Sequence, residues 1–450
     1  MRIAWFTQRY HPVVGGAENY VRAMVRRFVA DGHEVDVLAS DAHDLWYFTD
    51  PSRGRSEEPR DETIDGARVR RFPIRHWFGQ KYAGRLLSYL PSWRAQCRYE
   101  SFMPIVPGID RVRGDYDAVF SVAFPYTLFS HAAWKTARAA RAPLLITPFL
   151  HLATPGDKVN RIYTRPHQGR LLREAAAVFT MTNLEADAVA GWGVDRDRIL
   201  ALGPGVDHAD VTGGDKFALR DKLGIPRHRR VIGHLTTLDP NKGTVDLVKA
   251  VEAMNADRRE PIHLILAGNS SPQYEAFEAA LPPESSRWLT RVRPWSMERR
   301  PEFFAAIDVF SMPSRTDSYG IVFLEAWANG LPVVAAAAGG VAEVVRHGED
   351  GLLVPFGDLQ SLAGALATFA DDPAKAREFG DRGKRRVAHG YTWDDKYRAL
   401  LDRTRAVATS PSSSRTPPGR AVRGGRPLTG GRVWSNVKPG SSDSRPPTGR

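Results

Sequence analysis

Cysteine is nearly absent from this sequence, since Cys97 is the only one in 450 residues. A single thiol can form neither an internal disulfide nor a cysteine metal cluster, which excludes the disulfide-rich secreted class and favours a reducing compartment. The sequence also lacks an apolar run long enough to span a membrane. Its start, MRIAWFTQRYHP, turns polar after a few apolar residues, so we expect no signal peptide. We therefore predict a cytoplasmic protein.

Acidic residues are scarce at the C-terminal end. Residues 409–450 contain eight lysines and arginines against Asp443 alone, so this segment supplies +7 of the net charge of +12. The rest of the chain carries only +5, which disfavours a nucleic-acid enzyme and predicts no nucleic-acid partner. The segment is also rich in proline, glycine, serine and arginine, a composition that predicts a disordered tail.

What the sequence does contain is enough apolar surface for two domains, with 42% hydrophobic residues. Its first unit is a buried strand at 2–7, a loop with Gly15 and Gly16, a helical pattern at 17–31 and a second strand at 34–39. This is a βαβ unit whose first loop faces a ligand cleft. The two glycines would let a phosphate approach the backbone, but the loop is not the G-x-G-x-x-G dinucleotide fingerprint.

The run 308–345 has the clearest pattern in the chain. It predicts a strand, a polar loop, a helix over 321–328, a second strand and a glycine loop before another helix. Asp317 lies in the polar loop and Glu325 lies eight residues later, within the helix. An isolated pair of this kind would be a capping aspartate and a surface glutamate. Here the two carboxylates flank a helix start at a strand end, which indicates a ligand site.

The run 317–325, DSYGIVFLE, resembles the E-x7-E region of the retaining GT-B-fold glycosyltransferases of family 4, the glycosyl transferases group 1, with aspartate at the first position. The resemblance implies two doubly wound Rossmann-like α/β domains facing a cleft. It also implies that Glu325 binds the ribose hydroxyls of a nucleotide sugar. Asp317 and the residues after it would address the sugar and the phosphates. Those residues are Ser318, Tyr319, Gly320 and Ile321.

Two features of the first half resemble the same family. The stretch Gly15-Gly16-Ala17-Glu18 is similar to the family's first loop, commonly GGAE. His151 follows the strand predicted at 144–148 and matches the histidine that the family places beside the transferred sugar. The resemblance therefore makes His151 and Asp317 the catalytic candidates.

In the second half, the resemblance covers the phosphate and base ends of the donor. The loop TTLDPNKG places Lys242 just before a helix at 244–254, where it can meet a phosphate together with the helix dipole. The family pairs this lysine with an arginine, and His234 stands at that position here, so we expect His234 and Lys242 to hold the diphosphate. Gly268 matches the family's glycine turn near the base.

We predict an acceptor-side domain over 1–205, a donor domain over 206–385, a helix over 386–408 that returns to the first domain, and the tail over 409–450. The predicted activity is retaining transfer of a hexose from a UDP- or GDP-linked sugar to an acceptor hydroxyl, in cell-envelope glycan, polysaccharide or glycolipid synthesis. No metal site and no cofactor are predicted. The sequence leaves open the sugar, the base and the acceptor, a lipid-linked acceptor included. A GT-B epimerase, a hydrolysing enzyme or a catalytically degenerate sugar-nucleotide-binding protein are the alternatives.

The segment 75–94 mixes aromatic and basic residues. This composition suits an interfacial helix against anionic lipid, which would place the protein peripherally on the inner face of the membrane. It also suits an amphipathic helix packed on its own domain, which is the interpretation that we favour. The sequence leaves both alternatives open.

Overall fold

Two parallel β-sheets, each covered by helices, organise the chain in the computed structural model. The structure describes residues 1–13, 15–77, 79–87, 89–99, 103–122, 124–152 and 158–409. These residues form one compact unit, Met1–Thr409. The tail predicted over 409–450 lies outside the described residues except for Thr409. The architecture confirms the predicted α/β class with two parallel-sheet domains.

The first sheet has eight strands in the order β3-β4-β2-β1-β5-β6-β7-β8. All neighbours are parallel except the edge pair β3 and β4, which is antiparallel. The strands are β1 Arg2–Phe6, β2 Glu34–Ser40, β3 Asp61–Ile64, β4 Ala67–Phe72, β5 Ala118–Val122, β6 Leu144–Thr147, β7 Ala177–Thr180 and β8 Ile199–Ala201.

The second sheet has six parallel strands in the order β11-β10-β9-β12-β13-β14. The strand order reverses direction at β9, between β10 and β12, and ligands of open α/β sheets bind at such a switch point. The strands are β9 Val231–Leu235, β10 His263–Ala267, β11 Leu289–Val292, β12 Val309–Met312, β13 Val333–Ala336 and β14 Gly351–Val354.

Helices connect the strands and cover both faces of each sheet. In the first half they are α1 Gly16–Ala30, α2 Gln80–Leu87, α3 Trp93–Tyr99, α4 Thr127–Ala140, α5 Lys158–Tyr163, α6 Pro166–Arg173 and α7 Asn183–Gly191. In the second half they are α8 His208–Val211, α9 Ala218–Lys222, α10 Thr244–Asn255, α11 Pro272–Ala279, α12 Arg300–Ala306, α13 Ile321–Ala328, α14 Val341–Val344, α15 Leu359–Asp371, α16 Pro373–Val387 and α17 Trp393–Thr409.

The central strands are apolar on both faces because helices pack on both sides of a parallel sheet. In β1, Ile3, Ala4, Trp5 and Phe6 are all fully buried. Trp5 stacks on Phe120 of β5 with ring centroids 4.5 Å apart. Burying a side chain of this size stabilises the fold by about 1.5–3 kcal/mol.

The final helix, α17, packs on the first half of the chain. Tyr397 meets Phe28 of α1 edge to face, with ring centroids 5.0 Å apart. The Tyr397 hydroxyl donates to Asp31 over 2.8 Å. Arg27 of α1 pairs with Asp394 over 2.6 Å. These contacts fasten the end of the described chain to the first domain.

The segment 75–94 forms two short helices, α2 and the start of α3, rather than one amphipathic helix. Five of its large apolar side chains are exposed: Trp77, Tyr82, Leu86, Tyr89 and Leu90. The alternative in which this segment buries its apolar face on its own domain therefore holds only in part. No helix in the described ranges has both the length and the apolar character needed to cross a membrane.

Candidate active site

A cavity of about 280 Å³ opens between the two halves, at the carboxyl ends of strands from both sheets. The loops after β1 and β6 form one wall, and the loops after β9, β10 and β12 form the other. Every residue that the sequence predicted for the site, except His234, lines this cavity. They are Gly15, Gly16, His151, Lys242, Gly268, Asp317, Ser318, Tyr319, Gly320, Ile321 and Glu325.

Lys242 and Asp317 form an ion pair on the donor wall. The Lys242 Nζ donates to Asp317 Oδ2 over 2.7 Å, and the two side chains are only 25% and 14% exposed. Burial acts to raise the pKa of Asp317, but the Lys242 ammonium, with His151 and the Tyr319 amide, holds it below its ordinary value. Asp317 is therefore ionised at neutral pH, and Lys242 is held beside the cavity as a cation.

The N-terminus of α13 opens onto the cavity next to this pair. Gly320 precedes the helix with φ +84°, and a Cβ there would lie 2.5 Å from the Phe323 ring. Glycine is required at this turn because it tolerates the left-handed conformation and leaves room for the ring. Because Gly320 has no side chain that could cap the helix, the first-turn amides are available to a ligand anion.

Glu325 lies one turn into α13, and Arg300 of α12 holds it. The Arg300 Nη1 donates to Glu325 Oε1 over 2.6 Å, and the Glu325 and Arg300 side chains are 5% and 17% exposed. Burial raises the pKa of Glu325, against the opposing effect of Arg300, while Asp210 adds a smaller increase. The ion pair occupies Oε1, and Oε2 remains as an acceptor for hydroxyl groups at the cavity.

His151 faces the donor wall from the first half, where its ring packs against Tyr163 in a tilted arrangement with centroids 4.9 Å apart. Burial lowers the pKa of His151 to about 4, with Asp317 and Lys242 acting in opposite directions. The imidazole is therefore neutral at physiological pH and can donate one hydrogen bond and accept another. Two residues earlier, Phe149 has φ +52°, an uncommon backbone conformation for an aromatic residue.

The loop that carries His151 is fastened by a buried carboxyl group. Glu185 of α7 accepts the backbone N–H of Leu150 over 2.8 Å and that of Met181 over 2.6 Å. Glu185 is 1% exposed, and burial raises its pKa to about 7. Its two carboxyl oxygens bridge the loops after β6 and β7, so Glu185 positions the backbone beside His151.

The structure does not bring His234 to the cavity, which corrects the prediction that it contacts the diphosphate. Its side chain is fully buried, with Nδ1 2.8 Å from the Ser311 carbonyl oxygen and Nε2 2.9 Å from the Thr244 hydroxyl. Burial lowers its pKa to about 4. A neutral ring with both nitrogens engaged within the protein joins β9, β12 and α10, and it has no group left for a phosphate.

Gly268 allows the loops after β9 and β10 to approach closely. A Cβ at this position, where φ is +126°, would lie 1.8 Å from the Thr236 carbonyl oxygen. The cavity wall next to this turn is formed by Thr236, Thr237 and Asn269, with Trp295 nearby. Within the described ranges, no group of three histidine, cysteine or acidic side chains is arranged to hold a metal ion.

Comparison with known proteins decides the family. Residues 15–205 match the glycosyl transferase 4-like domain, and residues 215–386 match the glycosyl transferases group 1 model. A D-inositol 3-phosphate glycosyltransferase of Stackebrandtia nassauensis is 31% identical over 331 residues, which cover 67% of this chain and 71% of that protein. The chain belongs to the glycosyl transferases of group 1. It is therefore a hexosyltransferase of the type that this group contains.

Further relatives of this glycosyltransferase span most of its length. A D-inositol 3-phosphate glycosyltransferase of Jonesia denitrificans is 28% identical, with 88% of this chain and 92% of that protein covered. Sucrose-phosphate synthase from Thermosynechococcus elongatus has the same fold, with a TM-score of 0.68, 21% identity and coverage of 90% and 98%. Anabaena HepE in complex with UDP-glucose gives a TM-score of 0.65 at 19% identity, with coverage of 90% and 100%.

Three residues of this glycosyltransferase were missed in the sequence: Glu185, described above, Arg300 and Glu343. Arg300 lines the cavity and pairs with Glu325, and the signal for it was the carboxylate itself, since a buried glutamate needs a partner. Glu343 of α14 crosses to the first half, where it accepts the N–H groups of Asn183 and Leu184 over 2.9 Å each. It thus caps α7, a helix of the other domain, and joins the two halves next to the cavity.

Proposed function

We propose that the chain transfers a hexose, with retention of anomeric configuration, from a UDP- or GDP-linked sugar to an acceptor hydroxyl. The observation that carries this proposal is the order of groups along the donor wall. Lys242 and the N-terminus of α13 form a place for phosphates, and Glu325 next to them forms a place for a diol. HepE was solved with UDP-glucose and has the same fold, which supports a nucleotide-sugar donor.

The diphosphate would bind between Lys242 and the first amides of α13. In the structure, Lys242 is paired with Asp317. A phosphate oxygen would replace Asp317 as the partner of the ammonium, and the Gly320 and Ile321 N–H groups would donate to the same phosphates. This exchange frees Asp317 to accept hydrogen bonds from the hydroxyl groups of the transferred sugar. Charge that develops on the leaving diphosphate would be stabilised by groups already in place.

The ribose would lie against Glu325, and the base would lie near Gly268. Since Arg300 occupies Oε1, the ribose hydroxyls would donate to Oε2. To test this assignment, affinities of UDP and 2′,3′-dideoxy-UDP are measured in wild type and in Glu325→Ala by calorimetry. Wild type should prefer UDP by about 1.5–3 kcal/mol, the usual contribution of a hydrogen bond to a charged group. Glu325→Ala should bind both nucleotides equally, and an undiminished preference for UDP in that variant would overturn the ribose assignment.

His151 would contact the transferred sugar as a neutral hydrogen-bonding group, since its pKa of about 4 makes it a poor proton donor at neutral pH. We assign no covalent nucleophile, because Glu325 is paired with Arg300 and Asp317 would accept hydrogen bonds from the hydroxyl groups of the transferred sugar. The bond between the anomeric carbon and the diphosphate oxygen breaks, and the acceptor oxygen bonds to the same face of the sugar. The acceptor proton passes to the departing phosphate oxygen. Proton NMR of the product tests this: the anomeric configuration of the donor should persist, and inversion would contradict it.

A turnover assay separates this function from the alternatives. Nucleoside diphosphate release that requires an acceptor indicates a transferase, whereas equal release without acceptor indicates a hydrolysing enzyme. Conversion of the donor into another sugar nucleotide without net release indicates an epimerase. Binding of UDP or GDP without turnover would indicate a degenerate binding protein. The acceptor panel includes D-inositol 3-phosphate because relatives carry that name.

A lipid-linked acceptor, a role in envelope glycans and a peripheral position at the membrane stay predictions. The observation that favours a membrane contact is the set of exposed apolar side chains around α2. Co-sedimentation of the full chain with anionic vesicles tests it, since a peripheral enzyme should pellet with the lipid and a protein without this contact should stay in the supernatant.

A further inference from the structure

A second concave site, here called the α3–α4 pocket, lies on the first half and shares no residue with the cavity described above. Its volume is about 350 Å³. Successive turns of two neighbouring helices, α3 and α4, form its walls. Its lining residues are Arg94, Ala95, Arg98, Tyr99, His131, Trp134 and Lys135.

Positive charge dominates this pocket. Arg94 and Arg98 are one turn apart on α3, and Lys135 faces them from α4. Asp110 is shared between Arg98 at 3.2 Å and Lys135 at 2.9 Å, so one carboxylate balances two cations. Arg94 has no carboxylate partner among the described residues; its guanidinium lies 4.7 Å from the ring centroid of Trp134. The pocket therefore keeps an excess of positive charge.

His131 supplies a buried polar group without a partner. It is 3% exposed, and neither ring nitrogen has a hydrogen-bond partner among the described residues. Its ring stacks on Trp134 at 5.5 Å and meets Trp93 edge to face at 6.1 Å. Burial lowers the pKa of His131 to about 4, with Arg98, Lys135 and Arg94 adding to the decrease. The neutral ring carries one N–H that native structures rarely leave unpaired.

We propose that the α3–α4 pocket is a binding site for a phosphomonoester group, held by Arg94, Arg98 and Lys135, with His131 donating to a phosphate oxygen. Arginine forks match the geometry of phosphate oxygens, and the lysine adds a point charge. The pocket is larger than phosphate alone, and the Trp134 ring offers an apolar wall to the rest of the ligand. A bound dianion also satisfies the cations that Asp110 leaves unbalanced.

Two sources can present this chemistry, a free phosphorylated metabolite and the headgroup of an anionic lipid. Helix α2 contacts α3, and Tyr82 and Leu86 of α2 are 82% and 73% exposed. An apolar surface next to a phosphate site is what a lipid headgroup would meet at a bilayer. The experiment therefore has a soluble arm and a vesicle arm.

The test titrates the full chain with glycerol 3-phosphate, and with glycerol as the uncharged control, by calorimetry. Wild type should bind glycerol 3-phosphate and not glycerol. The double variant Arg94→Gln/Arg98→Gln should bind it at least about tenfold more weakly, as expected from the loss of charged hydrogen bonds. The matched control is Arg138→Gln, which removes an arginine from α4 that lies 5.2 Å from the Trp134 ring centroid but does not line the pocket. This control should bind as wild type does, and UDP should not compete.

A second readout uses His131 itself. Its imidazole NMR signals should shift when glycerol 3-phosphate is added, and its pKa should rise because an anion favours the protonated ring. Phosphatidylcholine vesicles with and without phosphatidic acid then identify the source: binding to phosphatidic acid that the double variant loses assigns a lipid headgroup, and its absence assigns a free metabolite. The proposal is overturned if glycerol 3-phosphate does not bind wild type, or if the folded double variant binds it equally well.

Discussion

Replacing Arg300 by methionine should shift the pH dependence of donor binding to higher pH. In the structure, Glu325 is 4% exposed and its partner across 2.6 Å is Arg300. Burial raises the pKa of this carboxyl group even with Arg300 present, and Asp210 acts in the same direction. Without the guanidinium, burial and Asp210 both raise the pKa of Glu325 unopposed, so its protonation moves to higher pH.

The magnitude follows from the two states of Glu325. Removing one partner of a buried ion pair costs about 3–5 kcal/mol when the other stays charged. Protonation limits this cost at low pH, so the loss of stability in Arg300→Met should grow as pH rises. Donor affinity changes in the opposite sense. When Glu325 is protonated, the ribose hydroxyls lose a charged acceptor that contributes about 1.5–3 kcal/mol, or about tenfold to a hundredfold in affinity. Affinity for UDP in Arg300→Met should therefore fall as pH falls through the raised pKa of Glu325.

The assay is UDP calorimetry from acidic to basic pH, together with thermal unfolding, on wild type and three variants. Arg300→Lys keeps a cation and should stay close to wild type. Arg299→Met removes the neighbouring arginine, which contacts Glu302 instead, and should leave the pH profile unchanged. If Arg300→Met has the same midpoint of its pH profile as wild type and Arg299→Met, Glu325 does not depend on Arg300 and the reasoning is wrong.

Four further changes test other parts of the structure. Lys242→Met should weaken UDP binding by about tenfold to a hundredfold in calorimetry, as the loss of a charged phosphate contact predicts, with UMP less affected. His234→Ala should lower the melting temperature, because it leaves buried polar groups without partners, yet the pH profile of UDP affinity should match wild type; a changed profile would return His234 to the site. Glu185→Gln turns one acceptor into a donor facing an N–H group, so it should lose about 1–3 kcal/mol in denaturant unfolding. The pKa of Glu185 in the folded protein is about 7, above its unfolded value. The stability that this group contributes in wild type therefore falls as pH rises towards 7, and Glu185→Gln should not show that fall. Glu343→Ala removes the cap on α7, so small-angle scattering should show a larger radius of gyration and turnover should fall more than UDP affinity; identical scattering and turnover would show that the cap is dispensable.

The parts of the site that could be predicted from the sequence are those set by local patterns. The ligand site in the polar loop and helix at 317–328 could be predicted because an apolar helix that starts at a strand end leaves amides and carboxylates at the sheet edge. Lys242 could be predicted for the same reason, since only Gly243 separates it from the start of α10. The place of each of these residues at the sheet edge follows from a neighbouring strand end or helix start, so it could be predicted without knowing the long-range contacts of its side chain.

The errors lie where long-range packing decides. His234 is in β9, whose side chains are buried on both faces of a parallel sheet, so alternation along the strand does not tell which of them reaches the cleft. Thr244 and Ser311, from two other elements, take both of its ring nitrogens. Arg300 and Glu325 are 25 residues apart, and no spacing rule joins them. The exposure of Tyr82 on α2 could not be predicted either, because the spacing of apolar residues over 75–94 also fits a helix that is buried on its own domain.

The most direct test of the central claim is nucleoside diphosphate release from a panel of UDP- and GDP-linked hexoses, with an acceptor mixture present. We expect wild type and Arg299→Met to consume at least one of these donors at equal rates. Lys242→Met and Glu325→Ala, shown to be folded by circular dichroism and melting, should lose about tenfold to a hundredfold of kcat/KM, since each removes a charged contact to the donor. Undiminished kcat/KM in both folded variants would contradict the assignment of this cavity as the donor site.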